Sequence, residues 1–166
     1  MANRIVRILQ SIKKYAGDDV YEEIKKTCGE SNVKAIVSEL ENACGAEAVA
    51  RVLKPCGTQC IPESCIVKAR AIYSQSHDLD DFLRALNETR IGGGKLHVND
   101  GKIIGIYEQC DCSLARKIKG LSPLFCYCSE GWYERLFSAV FEKPVEVKLV
   151  RTILDGSDRC EFEISY

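Results

Sequence analysis

Apolar side chains recur every three or four residues through the first half of the chain, which is the spacing of helices that pack on one face. Glycine follows a cysteine at two predicted helix ends, Cys28-Gly29 and Cys44-Gly45, as expected where a helix closes in the left-handed conformation. Pro55-Cys56-Gly57 is expected to stop a fourth helix. The predicted helices cover residues 2–15, 18–28, 31–44, 47–53, 65–73 and 76–87.

The pattern changes after Gly92-Gly93-Gly94, a run that we expect to be a flexible linker. Apolar and polar side chains then alternate, as in strands that bury one face. Two hairpins are predicted, one turning at Asp100-Gly101 and one at residues 155–158, with an amphipathic helix over residues 131–141 between them. The sequence therefore predicts an α+β fold, with N-terminal helices followed by an antiparallel sheet of about four strands and an intervening helix.

The length of 166 residues suits one compact unit, with a helical N-terminal region at residues 1–91 and an α+β region at 92–166. The net charge of −1 and the absence of a Lys/Arg run argue against a nucleic-acid footprint. No apolar run approaches the roughly 20 residues that a membrane helix needs. We expect a cytoplasmic protein, and the sequence leaves the oligomeric state open, a homodimer included.

Two Cys-x-Cys pairs, Cys110/Cys112 and Cys126/Cys128, are the first candidate site. Residues i and i+2 of a strand point to the same face, so two such strands side by side would gather four thiols. Four thiolates suit a tetrahedral zinc ion or, alternatively, an iron–sulfur cluster. The other interpretation is that these cysteines fill the core, because free cysteine is among the most often buried residue types.

A second group of thiols, Cys56, Cys60 and Cys65, lies in a Gly/Pro-rich turn. These residues are either additional ligands of the same metal site or loop cysteines without a partner. Cys28 and Cys44 are expected to be small buried residues at helix ends. Cys128 precedes the predicted helix that Ser129 caps, so the helix dipole is expected to favour its thiolate form. Ten cysteines in a reducing cytosol favour metal or redox roles over a disulfide framework.

The stretch from Pro144 to Ile164, after an amphipathic helix, resembles the C-terminal signature of the 4-vinyl-reductase-like domain family. The resemblance covers residues 95–166 and rests mostly on Gly156, Cys160, Phe162 and the preceding helix. It implies a small α+β ligand-binding domain, in some bacterial regulators with an aromatic effector near a structural zinc. The family's zinc ligands include a Glu and a Cys upstream of the last cysteine, and here those positions correspond to Leu149 and Thr152.

These observations favour a non-catalytic, metal-binding sensor or accessory domain that takes an apolar or aromatic small molecule near Trp132, Tyr133 and Phe137. One alternative is a cysteine-dependent, hydrolase-like enzyme, although both histidines are distant in sequence from the Cys-x-Cys pairs. Another is a thiol redox protein, which would lack the usual Cys-x-x-Cys motif.

Overall fold

The computed structural model describes residues 2–166 and the side chains from Arg4 onward. It has the predicted α+β architecture: five helices, a hairpin, a sixth helix and a second hairpin. The helices are α1 Ala2–Tyr15, α2 Asp18–Cys28, α3 Val33–Thr58, α4 Glu63–Gln75, α5 Leu79–Glu88 and α6 Tyr127–Phe141. The strands are β1 Leu96–Asn99, β2 Lys102–Tyr107, β3 Glu146–Arg151 and β4 Cys160–Ser165.

The four strands form one antiparallel sheet in the order β1-β2-β4-β3. The first hairpin pairs Leu96 with Gly105, and the second pairs Leu149 with Phe162. Strand β4 of the second hairpin lies beside β2 of the first, so Gly105 also pairs with Phe162. One face of the sheet packs on α6. Phe162 of β4 and Phe137 of α6 are both buried there.

Two apolar clusters support this architecture. One joins α1, α2 and α3 to the segment between β2 and α6, and the other joins α4, α5 and α6 to the sheet. Within residues 2–166, none of the helices combines the length and the apolar character that crossing a membrane requires.

The third and fourth predicted helices are the two segments of α3, and they meet at Gly45, whose backbone is not helical, as the sequence predicts. Helix α3 is kinked at Gly45 (φ 77°, ψ 173°) and continues past Pro55, so the predicted stop at Pro55 is wrong. The helix persists because the burial of Cys56 and Gly57 in its last turn outweighs the hydrogen bond that Pro55 cannot donate to the Arg51 carbonyl. Asn32 caps the helix, accepting a bond from the Ala35 amide at 3.1 Å.

Helix α6 begins at Tyr127, four residues before its predicted start. The cause is a second start signal just upstream, where Ser122 caps a 3₁₀ helix over Pro123–Cys126 and accepts a bond from the Leu124 amide at 3.3 Å. A capping serine followed by proline at the first helical position is a typical helix start. The pair Cys126/Cys128 therefore lies on helical turns and not on a strand.

Helices α3 and α6 touch backbone to backbone. A Cβ added at Gly57 would lie 1.7 Å from the Cys128 carbonyl oxygen, and one added at Gly131 would lie 2.0 Å from that of Lys54. Beside this contact the buried Glu130 pairs with the Lys54 Nζ at 2.7 Å. Its other oxygen accepts a bond from the Leu149 amide of β3 at 2.7 Å, so α3, α6 and the sheet are joined at one point.

Replacing Gly131 with Ala should destabilise the protein by about 3 kcal/mol or more, since a methyl group would overlap a backbone carbonyl that cannot move aside alone. In an exposed helix the same change stabilises by roughly 1 kcal/mol, so the sign separates packing from propensity. Urea denaturation measures the difference, with the exposed Lys26→Ala in α2 as the control. An unchanged or higher midpoint for Gly131→Ala would contradict the contact.

Candidate functional site

A cavity of about 420 Å³ lies where the two halves of the chain meet. Its wall is built from α1, the loop after α3, α4, the glycine run, β2, the segment before α6, the first turns of α6, and β4. The wall is rich in sulfur, because seven of the ten cysteines line it. They are Cys60, Cys65, Cys110, Cys112, Cys126, Cys128 and Cys160.

All four cysteines of the Cys-x-Cys pairs line this cavity, but not on two adjacent strands as predicted. Cys110 and Cys112 follow the end of β2 in a segment without strand structure, and Cys126 and Cys128 lie on helical turns. Residues i and i+2 of a helix point in nearly opposite directions, so one pair does not present both sulfurs to one point. Within residues 2–166, no three His, Cys, Asp or Glu side chains are grouped as a metal site.

The additional candidate ligands, the second group of thiols, do not all line the cavity. Cys60 and Cys65 line the cavity, whereas Cys56 is buried in α3 and donates to the Val52 carbonyl at 3.3 Å. Cys28 is half-buried and Cys44 is exposed at the kink of α3, so the expected burial of Cys44 is wrong. The whole stretch around the kink, residues 42–47, is exposed.

Arg4 of α1 forms the centre of one thiol group. Its Nη1 donates to the Cys112 sulfur at 3.3 Å. Burial alone would lower the pKa of this guanidinium, but the neighbouring Cys60, Cys112 and Cys128 outweigh burial and raise it. Three thiols from different parts of the chain thus lie around one cation, which stabilises negative charge on sulfur.

Thr152 forms the centre of the other thiol group. Its Oγ1 is 3.0 Å from the Cys126 sulfur and 3.6 Å from the Cys160 sulfur, and the Ile153 amide donates to Cys160 at 3.4 Å. The hydrogen bond from Cys126 lowers the pKa of Cys160 and raises the pKa of Cys126. In the sequence, Cys160 belongs only to the family resemblance and to a strand face; its side chain joins Cys126 because β4 begins at the cavity.

The expected thiolate character of Cys128 is opposed by its surroundings. Burial is the largest influence and raises the pKa of this thiol, with the neighbouring Cys112 adding to the increase. Burial also raises the pKa of Cys110. The dipole argument fails because desolvation of a charged sulfur outweighs a helix terminus, a smaller effect.

The aromatic side chains predicted to bind a ligand lie at different depths. Trp132 lines the cavity, whereas Tyr133 and Phe137 are fully buried behind the wall. The Tyr133 hydroxyl donates to the Gly92 carbonyl at 3.0 Å. The glycine run is therefore packed against the core; at Gly93 (φ 88°) a Cβ would lie 2.5 Å from the Ile106 carbonyl oxygen. The prediction of a flexible linker is wrong, since close backbone approach explains the glycines.

Residues 4–166 match the model of DUF6144, a family of unknown function. The chain belongs to this family. No curated protein matches the chain. The match spans both halves and the whole cavity wall, so function is argued from the cavity itself. The resemblance to 4-vinyl-reductase-like domains stays a prediction. Leu149 and Thr152 stand at the two positions that correspond to the family's zinc ligands. The Leu149 amide donates to Glu130, and the Thr152 hydroxyl lies against Cys126.

The thiols should differ widely in reactivity. Burial raises the pKa of Cys56 to about 11, whereas Cys44 is exposed. Because the thiolate is the reacting form, iodoacetamide at pH 8 should alkylate Cys56 at least roughly tenfold more slowly than Cys44. Peptide mass spectrometry after short pulses measures both rates, and in denaturant the two should become equal. Equal rates in the folded protein would contradict the burial of Cys56.

Proposed function

We propose that this protein is a non-catalytic, cytoplasmic sensor or accessory domain whose thiol-lined cavity holds a zinc ion or, alternatively, an iron–sulfur cluster beside a small molecule. The observation that carries the proposal is the convergence of seven cysteines from distant parts of the sequence on one cavity. Thiolates are the preferred ligands of structural zinc and of iron–sulfur clusters. We also predict that the protein binds neither nucleic acid nor membranes. A homodimeric state stays a prediction as well.

Charge supports this proposal. A centre bound by four thiolates carries net negative charge, and burying it is costly without a compensating cation. Arg4 supplies that cation, since its guanidinium already contacts Cys112 and interacts with Cys60 and Cys128. Cys112 and Cys128 are two of the four predicted ligands, so the cation lies at the predicted site.

Loading the metal requires the sulfurs to approach one another. The part of the chain that carries Cys110 and Cys112 is suited to this movement, because residues 108–114 form neither helix nor strand. The α6 side is held by the contact with α3, so Cys128 is the fixed side of the site. Metal binding by this route would order the segment between β2 and α6 and add its binding free energy to folding.

Replacing Cys110 and Cys128 together with Ser should abolish metal binding and lower stability by several kcal/mol, because structural metal binding contributes directly to folding. The measurements are elemental analysis, visible absorption and thermal melting on protein purified without oxygen. Cys44→Ser is the matched control, since Cys44 lies outside the cavity wall. Full metal content with an unchanged melting temperature in the double variant would refute the site, as would metal-free wild-type protein.

A thiol redox function is the second candidate, favoured by the approach of Cys126 and Cys160 to the same Thr152 hydroxyl. Oxidised glutathione would convert this pair to a disulfide, with the two electrons and two protons leaving as reduced glutathione. After that treatment, mass spectrometry of metal-free protein shows whether Cys126 and Cys160 have formed a disulfide, as the redox candidate predicts. The hydrolase-like alternative would use a histidine as the base beside a thiol. Both histidines, His77 and His97, are exposed and lie outside the cavity wall.

A further inference from the structure

Two arginines line the cavity wall, and the metal proposal does not fully use them. They are Arg4 of α1 and Arg90, which follows α5. Within residues 2–166 no ion pair includes Arg4 or Arg90, so neither has a carboxylate partner there. Arginines without a carboxylate partner that line one cavity indicate a site for an anion.

The backbone at Arg90 strengthens this inference. Arg90 follows the last turn of α5 in the left-handed conformation, with φ 61° and ψ 11°. Glycine is the usual residue at such a helix end, and a side chain there costs free energy. Three glycines follow at once, yet this position holds an arginine, and Arg90 is among the residues that line the cavity.

The arginines of the wall outnumber its carboxylates. Asp111 is the one carboxylate among the lining residues, against the two arginines. Asp111 and Arg90 are both exposed, so solvent screens them more than it screens the half-buried Arg4.

The rest of the wall is apolar and aromatic. Trp132, Phe125 and Phe162 line the same cavity as the arginines. Such a wall favours a ligand with an apolar body over a free inorganic anion. A volume of about 420 Å³ is also in the range of small-molecule sites.

We propose that the cavity binds a small organic carboxylate, its acid group held by Arg4 and Arg90 and its apolar body packed against Trp132 and Phe162. This proposal rests on the proposed function, whose small-molecule ligand class it names; it shares Arg4 with the metal site, so Arg90 is the residue that separates the two. A planar guanidinium matches a carboxylate with two parallel hydrogen bonds, and an amide of the same shape lacks the charge that this pairing requires.

Trp132 is the only tryptophan of the chain, so its fluorescence reports on the cavity directly. The probes are benzoate and phenylacetate, their uncharged amides, and inorganic phosphate, each titrated into purified protein. Both carboxylates should give saturable changes and bind at least tenfold more tightly than their amides. Affinity should fall as salt is added, since the contact is electrostatic. Equal binding of carboxylate and amide, no saturable binding, or phosphate binding as well as benzoate would overturn the proposal.

The variants Arg4→Met and Arg90→Met keep length and apolar contact but remove the charge. Each should weaken benzoate binding at least tenfold, whereas Arg51→Met, at an exposed position of α3 outside the cavity wall, should not change it. If Arg4→Met fails to fold, the exposed Arg90 carries the test alone. An equal effect of Arg51→Met, or no effect of Arg90→Met, would refute the assignment.

Metal content is measured on the same samples. Arg90→Met should lose benzoate binding while it keeps the metal, because the hydrogen bond to Cys112 comes from Arg4 and Arg90 is not among the groups that shift the pKa of Cys128. Metal-free protein that binds benzoate would reject the metal centre and leave the carboxylate site in place. Metal-loaded protein that is indifferent to benzoate would reject only the carboxylate site.

Discussion

The contact between the backbones of α3 and α6 is the constraint on which the rest of the structure depends. Gly57 and Gly131 leave room for the carbonyl groups of the opposite helix, and no other residue type does so. The helices then approach closely enough to bury Glu130 with Lys54 as its partner. A buried carboxylate is tolerated only when it is paired and hydrogen-bonded, and here the Leu149 amide completes its bonding. One crossing thus fixes the sheet relative to the helices.

The same crossing brings sulfur from two distant parts of the chain together. Cys60 follows Gly57 by three residues and Cys128 precedes Gly131 by three, so both thiols lie next to the contact. Arg4 from α1 then lies against them, and α1 is itself held on α3 by the bond from Ser11 to the Val52 carbonyl at 2.6 Å. The position of the thiols is a consequence of helix packing, and the local cysteine spacing does not determine it.

Periodicity predicted most of the fold, because helices and hairpins follow from patterns within one segment. At Pro55, burial of the last turn of α3 outweighs a local stop signal. At Ser122-Pro123, a capping serine and a proline start a helical turn that apolar periodicity does not reveal. The candidate site was harder to predict for a physical reason. The clustering of cysteines in the sequence pointed to six of the seven cavity cysteines, but the places of Arg4, Arg90 and Cys160 depend on tertiary packing that no local pattern encodes.

The cavity wall also has a consequence for how the chain reaches its final state. Arg4 lies near one end of the sequence and Phe162 near the other, and both border the same space. Contacts between residues so far apart in sequence close large loops, which slows folding. During synthesis the helical half emerges first, and the cavity is complete only after β4 has been made. A ligand that needs the whole wall therefore binds late in folding and does not template the early helices.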